Sequence, residues 1–281
     1  MIHGFLKACT VSPALRVADC AFNTQQTIAA MQRAAADGVQ LAVFPELGLT
    51  GYTCGDLFFQ QPLQRAAARG LAAVLEASAD LDLVALVGLP VTVDGKLYNC
   101  AAVVCHGKLL GLVPKTYLPN YGEFYERRQF NPAPAGVRTL HFAGQEVPFG
   151  TQLLFRCAEM PEFCLGVEVC EDLWAPLPPS THHALAGATV IANLSASDET
   201  IGKADYRRAL VSQQSARLLC AYLYADAGHG ESTTDMVFAA HDLICENGTL
   251  LSEAKPFGAG YACTELDLGR MVSERCRSTT F

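Results

Sequence analysis

The sequence has little charge, no closely paired cysteines, no extended basic cluster and no long apolar run. Charged residues make up 17% of the 281 residues and hydrophobic residues 51%, whereas an average globular protein carries about 25% charged residues. A disordered chain needs the opposite balance, so this composition predicts a large and well-covered core. A chain of this length forms one large domain or two small ones.

Other absences exclude whole classes of partner. The formal net charge is −8, and no basic cluster appears beyond Arg127-Arg128 and Arg207-Arg208, so the basic face of a nucleic-acid binder is not expected. The longest apolar runs, residues 83–93 and 184–194, are well short of the roughly 20 residues that cross a bilayer. The first residues form no long apolar leader. We therefore expect a soluble, cytoplasmic protein that binds neither nucleic acid nor a membrane.

The 12 cysteines are scattered, and none forms a C-x-x-C pair, which excludes a zinc ribbon or a thioredoxin motif. A disulfide framework is not expected in a long chain without a secretion signal. The adjacent pair His182-His183 cannot easily share one ion and has no suitably spaced third ligand, so no metal site is predicted. Most cysteines are therefore expected to be small buried residues, and the open question is whether one is a nucleophile.

Strand-like and helical segments alternate along the chain. Residues 41–44 predict a buried strand, and the apolar spacing in residues 23–37 predicts a helix before it with Asn23 as its N-cap. Asp94-Gly95 and Asn247-Gly248 predict hairpin turns, which add antiparallel pairs to the sheets. A similar order of elements runs through residues 15–115 and 165–255, with an irregular segment at 119–161. The pattern predicts a mixed α/β fold of two similar halves, each contributing a sheet.

Three chemically useful residues follow apolar strands, where open α/β proteins keep their ligands. Glu46 follows Val43-Phe44-Pro45, and a partly desolvated carboxylate there can accept a proton; an exposed loop or helix-capping glutamate is the alternative. Lys115 can stabilise an oxyanion or pair with a carboxylate, unless it is an ordinary surface lysine. Cys170 lies at a strand end where backbone N–H groups can form an oxyanion hole. Its acidic neighbours disfavour a thiolate, a conflict that a lysine within reach would resolve.

The sequence resembles the nitrilase superfamily, in which Glu, Lys and Cys occur in this order, each at a strand end. Within it, five long segments resemble the N-terminal glutaminase domain of glutamine-dependent NAD(+) synthetases, and together they extend over nearly the whole chain. These segments are FPELGLTGYTCGDLFFQ (44–60), VPKTYLPNYGEFYERRQF (113–130), VEVCEDLWAPLPPS (167–180), NLSASDETIGKADYRR (193–208) and AGHGESTTDMVFAAHDLICENG (227–248).

The resemblance implies a four-layer αββα sandwich with an internal pseudo-two-fold, and a mechanism for three residues. Cys170 is then the nucleophile that attacks the side-chain amide of glutamine, Glu46 the general base and Lys115 the residue that stabilises the oxyanion. The backbone N–H after Cys170 assists Lys115. Glu123, eight residues after Lys115, corresponds to a second carboxylate that orients the lysine and the substrate, although a surface glutamate is the alternative; Glu126 is a weaker candidate for the same role.

The resemblance also implies a substrate site made of Tyr121, Glu171, Trp174, Ser197 and Lys203. Glu171 suits the α-ammonium of an amino acid, and Ser197 or Lys203 suits its α-carboxylate. The sequence departs from the family at two of these positions. Lys203 stands where arginine is common and lacks the bidentate fork of a guanidinium, and Trp174 stands where phenylalanine is frequent.

The Ser-Gly-Gly-x-Asp-Ser loop of the synthetase half is not found in these residues. We therefore expect residues 1–270 to form the carbon-nitrogen hydrolase domain and 271–281 to begin a linker towards an absent ATP-dependent synthetase domain. That domain would use ATP and Mg, and the hydrolase domain would need no cofactor.

Expected partners are glutamine, the synthetase domain and further copies of the chain. The alternatives are a stand-alone amidase, such as an ω-amidase or a carbamoylase, and a non-catalytic regulatory or assembly module of the same fold.

Overall fold

A computed structural model of the protein describes residues 4–281, which form two β-sheets enclosed by helices. The strands are β1 (Phe5–Val11), β2 (Leu41–Val43), β3 (Val84–Val93), β4 (Lys96–Cys105), β5 (Lys108–Pro114), β6 (Arg138–Phe142), β7 (Gln145–Phe149), β8 (Leu154–Cys157), β9 (Met160–Val169), β10 (Val190–Leu194), β11 (Ala221–Ala225), β12 (Leu243–Glu246), β13 (Thr249–Glu253) and β14 (Tyr261–Asp267). The α-helices are α1 (Cys20–Ala36), α2 (Gln61–Ala77), α3 (Glu126–Gln129), α4 (Pro179–Leu185), α5 (Lys203–Arg217) and α6 (Leu268–Arg277), and 3-10 helices cover Gly55–Phe59 and Cys170–Leu173.

The two sheets repeat one pairing pattern. The eight-stranded sheet has the order β14-β1-β2-β3-β4-β5-β7-β6, and the six-stranded sheet has the order β13-β12-β11-β10-β9-β8. From β1 to β5, two parallel pairs are followed by two antiparallel pairs, and the same succession runs from β9 to β13. This repetition confirms the prediction of two similar halves that each contribute a sheet.

Apolar side chains form three layers because strand residues alternate between the two faces of each sheet. Met31 of α1 and Leu71 of α2 pack with Val87 of β3 on the outer face of the first sheet. Leu86, the neighbour of Val87, faces the second sheet with Val167 of β9. A third layer places the outer face of the second sheet against α4 and α5; it includes Ala184, Ile191, Val211 and Tyr222. Helix, sheet, sheet and helix thus follow one another, as the αββα prediction requires.

The structure corrects some predicted boundaries. Helix α1 begins at Cys20, with the Asp19 carboxylate accepting from Phe22 N–H, because Asn23 instead ties its side chain to the Arg16 backbone. The segment 119–161, expected to be irregular, contains α3 and strands β6 to β8. The β6 and β7 strands pair at the sheet edge, and β6 is largely exposed, so it lacks the apolar alternation that reveals a strand in a sequence.

The predicted boundary at residue 270 falls inside helix α6. Leu268 and Met271 of this helix are buried in the layer between the sheets, and Arg275 donates to the carbonyls of Ala188, Leu218 and Leu219. Met271 and Arg275, which lie in the segment predicted to begin a linker, therefore contact the sandwich. Among residues 4–281, none of the helices is both long and apolar enough to cross a membrane.

Gly88 of β3 lets the loop after β2 lie directly on the first sheet. A Cβ atom at position 88 would lie 2.3 Å from Leu47 N and 2.6 Å from Pro45 O, and the Gly88 carbonyl accepts from Leu49 N–H at 3.1 Å. The loop between these contacts carries Glu46. Only a residue without a side chain fits here, since the atoms it would meet are backbone.

We expect Gly88→Ala to lower the free energy of unfolding by about 1–3 kcal/mol, because the added methyl group must push the Glu46 loop away from the sheet. Thr92→Ala, on an exposed position of the same strand, should change it by less than about 0.5 kcal/mol. Urea unfolding of both variants measures the difference. Equal stabilities would show that the loop moves without cost.

Candidate active site

Glu46 lies where the two sheets meet. Strand β2 ends at Val43, and the next residues turn into a loop in which Leu47 has a φ of +52°. The Glu46 N–H donates to the Ser195 carbonyl, just after β10 of the second sheet, at 3.2 Å. Glu46 itself is only 1% exposed, which excludes the exposed-loop alternative.

Lys115 is buried between two carboxylates. It follows β5 and is 1% exposed, so it is not a surface lysine. Its Nζ lies 2.6 Å from Glu46 Oε1 and 2.5 Å from Glu126 Oε1. Two further groups complete the arrangement: Asn99 Nδ2 donates to Glu46 Oε1 at 2.5 Å and the Tyr52 hydroxyl donates to Glu126 Oε1 at 2.8 Å.

The two carboxylates keep the lysine charged. Burial lowers the pKa of Lys115, but Glu126 and Glu46 raise it by more, so the pKa lies well above its usual range. Burial raises the pKa of Glu126, Lys115 opposes that shift and Glu46 adds to it, which brings the pKa to about 7. Glu126 can therefore change its charge near neutral pH.

Of the two predicted supporting carboxylates, Glu126 contacts Lys115. Glu126 begins α3 and reaches Lys115, whereas Glu123 lies on the loop before it and lines a cavity of about 170 Å³. The spacing of eight residues from Lys115 favoured Glu123. A turn decides which carboxylate faces inward: in it, Glu126 N–H donates to the Pro119 carbonyl and Phe124 N–H donates to the Tyr121 carbonyl. The cavity opens beside Glu126 and Tyr52, with Thr53, Tyr125 and Ser232 in its wall.

Cys170 stands at the junction of β9 and a 3-10 helix, with a φ of +46°. The Asp172 carboxylate holds this junction: it accepts from Val169 N–H at 2.9 Å and, from the segment after Lys115, from Thr116 N–H at 3.0 Å and Tyr117 N–H at 2.8 Å. One buried carboxylate therefore ties the backbone beside the cysteine to the backbone beside the lysine.

Cys170 is 4% exposed, and the charged groups that act on its thiol are Glu46, Lys115 and Glu126. Burial raises the pKa of the thiol, Glu46 raises it further and Lys115 lowers it, leaving the pKa well above its usual range. Lys115 thus offsets the carboxylates only in part, less than the sequence analysis expected. Burial and the carboxylates therefore favour the protonated form of the thiol.

Two of the five predicted substrate-binding residues, Tyr121 and Lys203, lie against the Phe124 ring, and each has one of the others, Glu171 or Trp174, beside it. The Tyr121 hydroxyl donates to Glu171 Oε1 at 2.8 Å, and the Tyr121 ring centroid is 6.1 Å from that of Phe124. Lys203 Nζ lies 5.7 Å from the Phe124 centroid and 5.4 Å from the Trp174 centroid. Burial raises the pKa of Glu171, and the hydrogen bond from Tyr121 lowers it. An acidic and a basic group therefore flank an aromatic surface.

Ser197 has a different environment. It is buried, its N–H donates to Asp226 Oδ1 at 2.8 Å, and its hydroxyl accepts from Arg207 Nη2 at 3.2 Å. Lys203 forms an ion pair with Asp198, the next residue. Ser197 is thus connected to the other four through the neighbouring Asp198–Lys203 pair rather than by a contact of its own side chain.

Five residues of the site were not predicted from the sequence: Tyr52, Asn99, Phe124, Asp172 and Asn193, whose Oδ1 accepts from Cys170 N–H. Asn99 and Asn193 are buried within the apolar strands β4 and β10. A buried amide in such a run needs hydrogen-bond partners, and this was the available signal. Across residues 4–281, the His, Cys, Asp and Glu side chains form no group of three or more that could hold a metal ion.

The chain is similar in sequence to proteins of a known family. Residues 8–275 match the carbon-nitrogen hydrolase family. The chain is 44% identical over 281 residues to the glutamine-dependent NAD(+) synthetase of Mycobacterium tuberculosis, across 99% of this chain and 41% of that protein. It is 32% identical over 248 residues to the enzyme of the same name from Thermotoga maritima, across 88% of this chain and 39% of that protein.

Solved structures show the same fold. A glutamine-dependent NAD(+) synthetase from Cytophaga hutchinsonii superimposes with a TM-score of 0.83 at 27% identity, over 93% of this chain and 43% of that one. An amidase from Nesterenkonia sp. superimposes with a TM-score of 0.73 at 19% identity, over 98% and 97% of the two chains. The chain spans about two fifths of the length of the synthetases that it matches. It belongs to the carbon-nitrogen hydrolase family.

Proposed function

We propose that the chain hydrolyses the side-chain amide of glutamine through a thioester on Cys170, and that the ammonia serves the ATP-dependent amidation of deamido-NAD. The observation that carries this proposal is the buried Lys115 between Glu46 and Glu126, joined by Asp172 to the backbone beside Cys170. Similarity to glutamine-dependent NAD(+) synthetases across 99% of the chain supports glutamine as the substrate.

The first half of the reaction forms the thioester. Cys170 Sγ attacks the amide carbon, and the thiol proton passes to Glu46. Lys115 and the N–H of Glu171 stabilise the oxyanion; this N–H is in the first turn of the 3-10 helix, where the helix provides no acceptor. The C–N bond then breaks, Glu46 returns the proton to the leaving nitrogen, and ammonia departs.

The second half restores the enzyme. Glu46 takes a proton from water, the resulting hydroxide attacks the thioester carbon, and the C–S bond breaks. Cys170 recovers its proton from Glu46, and glutamate leaves. A protonated resting thiol fits this cycle because the same carboxylate removes and returns the proton. Three side chains and one backbone N–H supply every step, so the proposed hydrolysis needs no cofactor; ATP and Mg would serve the synthetase domain.

The aromatic cluster beside these residues suits an amino-acid substrate. Glu171 provides an anion for the α-ammonium and Lys203 a cation for the α-carboxylate. Lys203 spends one of its three N–H donors on Asp198 and keeps two, which offsets in part the missing guanidinium fork. Homo-oligomerisation, a cytoplasmic location and a linker from residue 271 stay predictions.

Substrate choice tests the proposal directly. We expect ammonia release from glutamine to exceed that from asparagine, simple amides and carbamoyl amino acids by at least about 10²-fold in kcat/KM, because only glutamine places its amide at Cys170 while its α-groups reach Glu171 and Lys203. A coupled ammonia assay on the purified chain measures all four. Preference for a simple amide or a carbamoyl compound would assign the chain to a stand-alone amidase instead.

Cys170→Ala should lower glutamine hydrolysis by at least about 10³-fold, since no other group can form the thioester. Cys164→Ala removes a buried thiol from β9, the strand that leads to Cys170, on the face that packs against the helices, and it should retain activity. Mass spectrometry of the protein quenched during turnover should find the glutamyl adduct on Cys170. Undiminished turnover by Cys170→Ala would exclude the mechanism and favour a non-catalytic role for this site.

Glu126 should control the acid side of the pH profile. Its carboxyl has a pKa of about 7. Activity needs the ionised form, which shares Lys115 with Glu46, so kcat should rise with pH through about 7. Glu126→Gln should lower kcat by about 10²-fold and abolish this limb, whereas the same change at Glu123 should preserve it. Loss of the limb in Glu123→Gln alone would restore the ranking suggested by the sequence.

A further inference from the structure

A chain of three buried polar side chains leads from the outer face of the second sheet to the backbone of Cys170. Glu168 of β9 and Asn193 of β10 are partners in the parallel register, and Tyr222 lies on the neighbouring strand β11. All three are fully buried. The mechanism proposed above uses none of them, and each is polar in a layer that otherwise packs apolar side chains against α4 and α5.

The Asn193 amide clamps both backbone groups of Cys170. Cys170 N–H donates to Asn193 Oδ1 at 2.9 Å, and Asn193 Nδ2 donates to the Cys170 carbonyl at 3.4 Å. This matters because Cys170 has a φ of +46°, in the left-handed region that costs a residue with a Cβ about 1–2 kcal/mol. Such a conformation persists only where its surroundings enforce it.

The orientation of the Asn193 amide follows from its hydrogen bond with Tyr222 and from the bond of Tyr222 with Glu168. The Tyr222 hydroxyl donates to Glu168 Oε1; burial raises the pKa of Glu168, and this hydrogen bond lowers it. The hydroxyl then offers a lone pair, to which Asn193 Nδ2 donates at 3.1 Å. With its amino group fixed on that side, Asn193 turns Oδ1 towards the Cys170 N–H. Glu168 is itself held, because Oε2 accepts from Ser180 N–H at 2.7 Å.

We propose that Asn193 is a positioning residue that holds Cys170 in its left-handed conformation, and that Glu168 fixes the orientation of the Asn193 amide through Tyr222. For catalysis this inference rests on the proposed function, since it concerns the same nucleophile. The backbone conformation sets the direction of the Cys170 Cβ–Sγ bond, and a misplacement of about 1 Å can cost about 10²-fold in rate. The clamp also occupies the Cys170 N–H, which leaves the oxyanion to Lys115 and the Glu171 N–H.

A double-mutant cycle tests whether Tyr222 acts through Asn193, the arrangement called the relay below. Asn193→Ala should lower kcat for glutamine by about 10²-fold with KM within about threefold, because the clamp orients the nucleophile and touches no substrate. Tyr222→Phe removes one oxygen and should lower kcat by about tenfold, with KM also unchanged. Because Tyr222 acts through Asn193, the double variant should be no slower than Asn193→Ala alone. Tyr98→Phe, in the outer layer of the first sheet, controls for loss of a buried tyrosine hydroxyl.

The alkylation rate of Cys170 by iodoacetamide, read by peptide mass spectrometry, gives a second measure that needs no glutamine. The alkylation rate should be highest in the wild type, lower in Tyr222→Phe and lowest in Asn193→Ala, as for kcat. Urea unfolding of each variant checks that it is folded. Effects of Asn193→Ala and Tyr222→Phe that multiply, or an unchanged alkylation rate in folded Asn193→Ala, would overturn the relay. If Asn193→Ala does not fold, the alkylation rate of Tyr222→Phe decides alone. A wild-type chain inactive on glutamine would reject the proposed function, while the alkylation series would still decide the relay.

Discussion

The buried ammonium of Lys115 is the constraint around which the rest of the site is arranged. Removing a charge from water costs several kcal/mol, and the structure offsets that cost only where opposite charges lie within hydrogen-bond reach. Glu46 and Glu126 provide two such charges at 2.6 and 2.5 Å. They come from different places, the loop after β2 and the start of α3, so the position of the lysine depends on the first sheet and on the segment that covers it.

The second sheet supplies the cysteine, and buried hydrogen bonds join it to the lysine. Asp172 accepts backbone N–H groups from both sides, and Glu46 N–H donates across to Ser195. Apolar contacts between the sheets hold the halves together but are non-directional. Directional bonds at the sheet ends therefore fix where the chemical groups lie relative to each other, and the apolar layers supply the stability on which those bonds rely.

The sequence predicts the framework well because strand ends and turn residues are local signals. Asp94 and Gly95 both have positive φ, as the hairpin signal implies, and Glu46, Lys115 and Cys170 all lie where apolar strands end. Spacing alone could not show whether Glu123 or Glu126 reaches Lys115, because a tertiary turn brings Glu126 there. Asn99, Asp172 and Asn193 were missed for a related reason. Their partners lie 23 to 56 residues away in the chain, and only the register of folded strands brings them together.

The cost of this arrangement is not explained by architecture alone. Glu46 Oε2 and Glu126 Oε2 are buried without a hydrogen-bond partner among the described residues, and a buried acceptor left unpaired costs about 1–3 kcal/mol. Cys170 adds a strained backbone. Replacing a buried ion-pair group by apolar residues of similar volume is often neutral or stabilising. A module selected only for its shape would gain stability from such a replacement. A strained backbone, two unpaired carboxylate oxygens and a buried lysine instead lie together where the two sheets meet.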